Sequence, residues 1–310
     1  MSVTAGPNGR AALTALATVG ALGAGAAIWG VGIERYLFAT RRHTLRVLPP
    51  GSSPLKVLHV SDAHMAPWQH RKQRWIAGLA AFQPDLIVNT GDNLGHVEGL
   101  RGLRRAFNPF RGIPGFFVHG SNDMSAPGPR NPLKYFTGPS KIQAVEQPLD
   151  TNALDAYLTD DLGWQRLDNT TAVLETAGLR VNAFGVNDAH RDWDDLAALP
   201  PLVAQQPSAD LRIGVTHAPY RRVLDEFTDL GADLLFGGHT HGGQVRIPGF
   251  GALVANCDIP LRQARGLSTW THAGRSIPLN VSAGLGHSIY APVRFACRPE
   301  ASLLTLLPRG

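Results

Sequence analysis

The chain has 310 residues, is 44% hydrophobic and carries a formal net charge of +5. About 250 residues lie beyond an N-terminal apolar run, enough for one large core. The modest charge, with no nucleic-acid module, internal repeat or low-complexity tract, argues against nucleic acid and for anionic membranes or phosphorylated substrates. Two cysteines, Cys257 and Cys297, exclude a disulfide framework. Free thiols are expected, and a single bridge stays open only for an oxidising compartment.

After a short tail (residues 1–10), residues 11–33 contain no charged side chain and end near Trp29. Such a run crosses a hydrocarbon core of about 30 Å at ~1.5 Å per residue. It reads as a single-span anchor. The competitor is a cleaved signal peptide with Ala24-Gly25-Ala26 as its site, but the run exceeds the usual ~7–15 residue apolar region. Residues 34–53 then read as a basic juxtamembrane linker bearing Arg35, Arg41, Arg42 and Arg46. The excess of arginine over the front flank, which has only Arg10, puts the following domain on the cytoplasmic side. An interfacial segment against anionic headgroups and a plain solvated linker are the two readings of the linker itself.

Residues 54–310 read as one domain. Buried-strand patterns occupy 55–60, 85–90, 115–118, 211–215 and 233–236, with helices at about 69–82, 97–107, 151–162 and 220–230. Strands alternating with helices in the first half imply parallel pairing through crossover helices. Shorter strands at 173–176, 181–186, 243–247, 278–282 and 303–307 are expected to form a second sheet. The fold class is α/β, with two packed mixed sheets flanked by helices.

Each of the five strand patterns in the first group is followed by a residue type that binds metals: Asp62-Ala63-His64, Gly91-Asp92-Asn93, Gly120-Ser121-Asn122-Asp123, His217, and Gly238-His239-Thr240-His241. In open α/β sheets, ligands gather beyond the carboxyl ends of strands. Asp62, His64, Asp92, Asn122, His217, His239 and His241 supply the oxygen and nitrogen donors that two adjacent divalent ions require. Mixed imidazole, carboxylate and amide donors suit Mn²⁺, Fe²⁺, Zn²⁺ or Mg²⁺ rather than a soft metal. Two such ions ~3.5–4 Å apart activate water and clamp a phosphoryl group. The glycines at 237, 238, 242 and 243 let backbone approach the ions closely.

This order of motifs resembles the calcineurin-like metallophosphoesterases, over roughly residues 54–307. The likeness is closer to the membrane-associated bacterial branch, through Gly238-His239-Thr240-His241-Gly242-Gly243-Gln244, Val281-Ser282-Ala283-Gly284-Leu285-Gly286 and the run from Pro292 through Arg294 and Cys297 to Glu300. The resemblance implies a four-layer αββα sandwich. It implies one metal held by Asp62, His64 and His241, the other by Asn122, His217 and His239, and Asp92 bridging both. A water shared by both ions would be the nucleophile.

One position departs from the family pattern. Where the family has a His after the Asn ligand, thought to help the leaving oxygen depart, this chain has Asp123, with Ser121 inserted before Asn122. An unperturbed carboxyl titrates near ~3.9 and cannot donate a proton at pH 7. Either burial keeps Asp123 protonated, or the reaction needs no acid there and suits a pyrophosphate, whose leaving group is stable as an anion. A third reading has Asp123 merely orienting a ligand. Asp92 and Asp123 are thus the candidate catalytic carboxylates.

Residues 124–150, rich in Pro and Gly, leave the site directly and are expected to roof it. Arg130, Lys134 and Lys141 would steady phosphate, and Leu133, Tyr135 and Phe136 would meet a lipid tail; a solvated loop is the alternative. His119 is placed to support a ligand and His287 to face substrate, with core or surface positions as the alternatives. The other histidines, His190 among them, read as core, linker or surface. The function expected is membrane-anchored hydrolysis of phosphoester or pyrophosphate bonds, on a lipid-linked substrate. A broad phosphodiesterase on soluble substrates is the runner-up, and a metal-bearing scaffold without catalysis is the reading from another class.

Overall fold

The computed structural model describes residues 7–128 and 147–310, so the phosphate-steadying and lipid-meeting side chains expected from Arg130 to Lys141 lie outside the described residues. Two six-stranded sheets carry the domain. The first runs Ala39–Leu48, Glu300–Pro308, Leu55–Val60, Leu86–Asn89, Gly115–Phe117, Gln165–Arg166, and is parallel except where Glu300–Pro308 meets Leu55–Val60. The second runs Gly266–His272, Arg275–Val281, Leu234–Gly237, Leu211–Thr216, Leu179–Val186, Thr170–Thr176, with antiparallel pairs at its two edges.

The sheets face each other across Val57, Val88, Phe116 and Leu304 on one side and Val181, Ile213, Val215 and Phe236 on the other, all fully buried. Strands this apolar on both faces need cover outside as well. On the first sheet's outer face, Leu58, Ile87 and Phe117 pack against Ile76, Leu103, Phe107 and Leu154 of the helices His70–Gly78, Gly99–Phe107 and Thr151–Ala156. On the second, Phe184 and Leu235 pack against Leu199, Val223 and Phe227 of Leu199–Ala204 and Arg221–Asp229. Asp150 caps Thr151–Ala156 by accepting from the Ala153 amide at 3.0 Å. The result is the four-layer αββα sandwich.

Several expectations are corrected. Residues 39–48 are no linker: they form an edge strand paired in parallel with Glu300–Pro308. Leu45 and Val47 point toward the inter-sheet core, and Arg41 pairs with Glu300 at 2.8 Å. Residues 303–307 belong to the first sheet, whereas 211–216 and 234–237 are central in the second. Of 243–247, Arg246–Ile247 forms a strand in a small ribbon with Gly251–Ala252 outside both sheets, and Val245 makes a single bridge to Phe295. Gly266–His272 is a strand with no counterpart among the expected elements. Cys297 is buried, Cys257 half-buried, and both are free.

The apolar helix Pro7–Ile28 continues through a wider turn, Trp29–Ile33. Among the described residues one helix, counted over Leu13–Tyr36, is long and apolar enough to cross a membrane. It is not a core helix, because Leu13, Leu16 and Leu22 are 60–71% exposed.

Because Ala39–Leu48 covers the Glu300–Pro308 edge and buries Val47 and Leu48, its loss removes on the order of 3–6 kcal/mol of apolar burial. A chain beginning at Leu55 is therefore expected to melt ~10 °C below one beginning at Glu34, given ~2–4 °C per kcal/mol at this size. Equal midpoints in a thermal melt would refute the structural role of that strand.

Candidate metal centre

The site forms where strands of both sheets end. Beyond Leu55–Val60 and Leu86–Asn89 the two chains stay paired: the Asp62, His64 and Met65 amides donate to the carbonyls of Gly91, Asp92 and Asn93 at 2.8, 3.0 and 2.8 Å. To do so while turning carboxylates and imidazoles inward, the backbone enters the left-handed region at Asp62 (φ 48°), His64 (37°) and Asp92 (53°). His239 (64°) and His241 (49°) do the same beyond Leu234–Gly237. Such values cost ~1–3 kcal/mol each and cluster at functional sites.

The expected donors converge. His64 Nε2 lies 3.1 Å from His241 Nε2 and 3.5 Å from Asp92 Oδ2, and His241 Nε2 lies 3.5 Å from Asp62 Oδ1. His217 Nε2 is 3.6 Å from Asp92 Oδ2. Two groups, Asp62–His64–His241 and Asp62–Asp92–His217, each offer donor atoms within 4.8 Å of one another. Asn122 donates through its amide N and side chain to the two Asp92 oxygens, at 2.9 and 2.7 Å, which leaves its Oδ1 as the donor for a cation. The His239 ring stands 5.1 Å from that of His217. Its Nε2 is held by Asn256, 3.0 Å from the side-chain amide nitrogen and 3.2 Å from the backbone carbonyl.

The tautomers and charges fit divalent cations. His217 donates Nδ1–H to the Thr90 carbonyl at 2.7 Å, which turns Nε2, buried and with no hydrogen-bond partner, toward Asp92 as the atom a cation would take. Burial pushes His64 down to about 4 and holds His239 and His241 well below the usual imidazole range, so these rings are neutral donors. Burial would raise Asp92, yet His217, His64 and the Asn122 amides hold it below the ordinary carboxylate range. Burial raises Asp62 against the pull of His217. Burial also opposes charge on His217, but Asp92, Asp188 and Asp62 outweigh it and lift that ring to about 9. Three carboxylates thus draw positive charge to one buried spot, the condition a bound metal meets.

Residues 55–243 match the family model described as calcineurin-like phosphoesterase. The chain belongs to that family. It is 25% identical over 307 residues to the uncharacterized metallophosphoesterase YkuE of Bacillus subtilis (strain 168), covering 93% of this chain and 94% of that one. It is 24% identical to the phosphodiesterase YaeI of Escherichia coli (strain K12), covering 87% and 88%. A solved 5'-nucleotidase precursor from Thermus thermophilus superposes with a TM-score of 0.44 at 12% identity, over 82% of this chain and 54% of that one. As a calcineurin-like phosphoesterase the chain is a metal-dependent hydrolase, and the family uses two divalent metals.

Within this phosphoesterase the geometry gives Asp123 a different place from the one expected of an acid. Its carboxylate is fully buried and accepts from the Asn93 amide (2.7 Å), the Asn93 side chain (3.3 Å), the Leu94 amide (3.3 Å) and the Gly120 amide (3.1 Å). It ties the Asp92 loop to the Asn122 turn. Burial raises it to about 6 against the opposing pull of His119. His119 touches no ligand: burial lowers it, but Asp155 at 2.9 Å and Asp168 at 2.5 Å lift it to about 10, so it is a buried cation behind the Asn122 turn. His287 is buried, with Nδ1 on the Ser288 carbonyl.

Several residues of the site escape sequence reading. Asp188 accepts from the Ser121 amide at 3.0 Å, and the His190 ring lies 4.4 Å from the His239 ring, tilted by 42°, with Nδ1 2.9 Å from the Tyr220 hydroxyl. Lys72, buried in a helix, donates to the carbonyls of Ala63 and His64. None sits in a motif, and only the three-dimensional approach reveals them. Gly120 and Gly238 carry a weak signal as motif glycines. A Cβ on Gly120 would collide with Asp92 Oδ1 and stand 2.8 Å from His217 Cε1; on Gly238 it would stand 2.8 Å from Asp62 Oδ2.

Asp123→Asn is expected to weaken Mn²⁺ binding ~10–100-fold, the usual cost of losing a ligand's support. Titration calorimetry showing unchanged affinity with a fallen kcat would instead return Asp123 to the acid role. Chelation is expected to lower Tm by ~5–15 °C, since a ligand at ~100–1,000 times its Kd contributes ~2.7–4.1 kcal/mol. An unshifted melt would mean that no such ligand is held.

Proposed function

We propose that this hydrolase is held to a membrane by the helix Pro7–Ile28, faces the cytoplasm, and cleaves a phosphoester or pyrophosphate bond of a lipid-linked substrate. The observation that carries the hydrolytic part is the convergence of Asp62, His64 and His241 with Asp92 and His217 in two overlapping donor groups. Support for the membrane part is the exposed apolar helix, followed by the arginines at 35, 41, 42 and 46.

Bound divalent ions supply Lewis acidity and an ionised water near neutral pH. The chain's own residues do the rest. Asp92, held ionised, belongs to the second donor group and stands 3.5 Å from His64 of the first, and its orientation is fixed by the backbone and side-chain N–H groups of Asn122. His64, His239 and His241 stay neutral and present lone pairs. With the Asp123 carboxylate taken up by four N–H donors, that position offers no proton to a leaving oxygen. A departing phosphate needs none, which favours pyrophosphate bonds over alkyl esters.

The likeness to YaeI, whose name is phosphodiesterase, makes a phosphodiester the second substrate class. The test uses the full chain in detergent micelles with Mn²⁺, comparing a lipid pyrophosphate, an aryl phosphodiester and a phosphomonoester. The pyrophosphate is expected to turn over with at least about tenfold higher kcat/KM, worth ~1.4 kcal/mol in the barrier, and Asp92→Asn to abolish all three. Preference for the diester would transfer the proposal to soluble or membrane phosphodiesters. Turnover surviving Asp92→Asn would sink the metal mechanism.

A further inference from the structure

The apolar helix does not run out into a free connection. At its end, the Gly30 carbonyl accepts the Arg294 amide at 3.1 Å, in a contact so close that a Cβ on Gly30 would stand 3.0 Å from the Arg294 carbonyl oxygen and 3.1 Å from Val293 Cγ2. Four residues on, the buried Glu34 carboxylate accepts from the amides of Cys297 (2.6 Å) and Ala296 (2.9 Å) and from Trp29 Nε1 (2.7 Å). The loop 294–297 is thus tied to the helix end at both its ends.

The one charged side chain in that stretch turns inward. Arg294 is fully buried, an expensive place for a guanidinium unless its hydrogens are used. It donates to the carbonyls of His241 (3.0 Å), Gly284 (3.4 Å) and Gly286, and its Nη2 lies 3.2 Å from His241 Nδ1. The Cys297 thiol adds a second donor to the His241 carbonyl, at 3.3 Å. Gly286, in turn, donates its amide to the Asp62 carbonyl at 2.7 Å. Arg294 therefore grips the backbone of His241, in its left-handed conformation, and the loop that backs Asp62. These two ligands belong to the same donor group, with His64.

We propose that Arg294 is a positioning residue of the metal centre, and that the helix end, through Gly30 and Glu34, sets where Arg294 stands. Seating of the helix and metal affinity at Asp62–His64–His241 are then linked, and the linkage is reciprocal. The segment that leads out of the apolar helix is part of the site's framework as well as a tether. This inference rests on the metal-centre reading of the same residues.

The experiment titrates Mn²⁺ into the full chain in detergent micelles, following free Mn²⁺ by electron paramagnetic resonance. Wild type, Glu34→Gln, Arg294→Lys and Val181→Ala are compared, the last a cavity in the inter-sheet core far from the centre. The wild type is expected to bind two ions. Glu34→Gln and Arg294→Lys should weaken one of them ~10–100-fold and spare the other, while Val181→Ala keeps both at a comparable loss of Tm. If Arg294→Lys fails to fold, Glu34→Gln carries the test alone, since it alters only the seat. Wild-type affinity at both sites in Glu34→Gln, or equal weakening at both sites matched by Val181→Ala, overturns the proposal. A wild type that binds no Mn²⁺ removes the metal centre and this inference together, an outcome distinct from intact binding in the variants.

Discussion

Asp92 is a point at which donors carried by the two sheets meet, and much of the centre is arranged around it. Its carboxylate receives Asn122 from beyond the first sheet's strand Gly115–Phe117 and stands within 3.6 Å of His64 from the first sheet and His217 from the second. Neither sheet alone assembles a donor group with that carboxylate and His217. The inter-sheet core of Val57, Val88, Phe116, Ile213 and Phe236 therefore does more than stabilise: its close packing fixes the offset between the strand ends.

The backbone accepts strain to make this possible. Asp62, His64, Asp92, His239 and His241 all lie at positive φ, at ~1–3 kcal/mol each. Asp and His are among the residues that tolerate this region best, so the residue types that bind metal also suit the turns that present them. The strain is balanced locally by amide pairing between the Asp62 and Asp92 loops, by the Asp123 carboxylate and by Arg294. Each of these supports grips backbone, which explains why none of them announces itself as a ligand.

That distinction sets what the sequence reveals. Donors must be particular residue types at the ends of apolar strands, so Asp62, His64, Asp92, Asn122, His217, His239 and His241 stand out without a structure. Supports need only reach a carbonyl or an amide from any direction. Lys72 does so from a helix, Glu34 from the end of the apolar run, and Arg294 from a loop more than fifty residues past His241. Asp123 is the instructive middle case. It lies in a motif, which directs attention to proton transfer, whereas four N–H donors claim its oxygens. The edge strand Ala39–Leu48 is obscured for a related reason. Its arginines dominate a reading by charge, while the alternation of His43, Leu45 and Val47 against Arg42, Thr44 and Arg46 carries the strand period.

Electrostatics joins the two levels. Asp62, Asp92 and Asp188 concentrate negative charge around the donor nitrogens of His217, His64 and His241, and an outer layer of two buried cations, Arg294 and protonated His119, lies immediately behind. Those cations offset the repulsion among the carboxylates without occupying the donor atoms: Arg294 donates to carbonyls, and His119 pairs with Asp155 and Asp168. The inner layer stays free to bind divalent ions while the outer layer keeps the arrangement from opening. Were the outer cations replaced by apolar residues of similar size, the carboxylates would be expected to protonate or to swing apart, and the donor geometry would be lost even with every ligand still in the sequence.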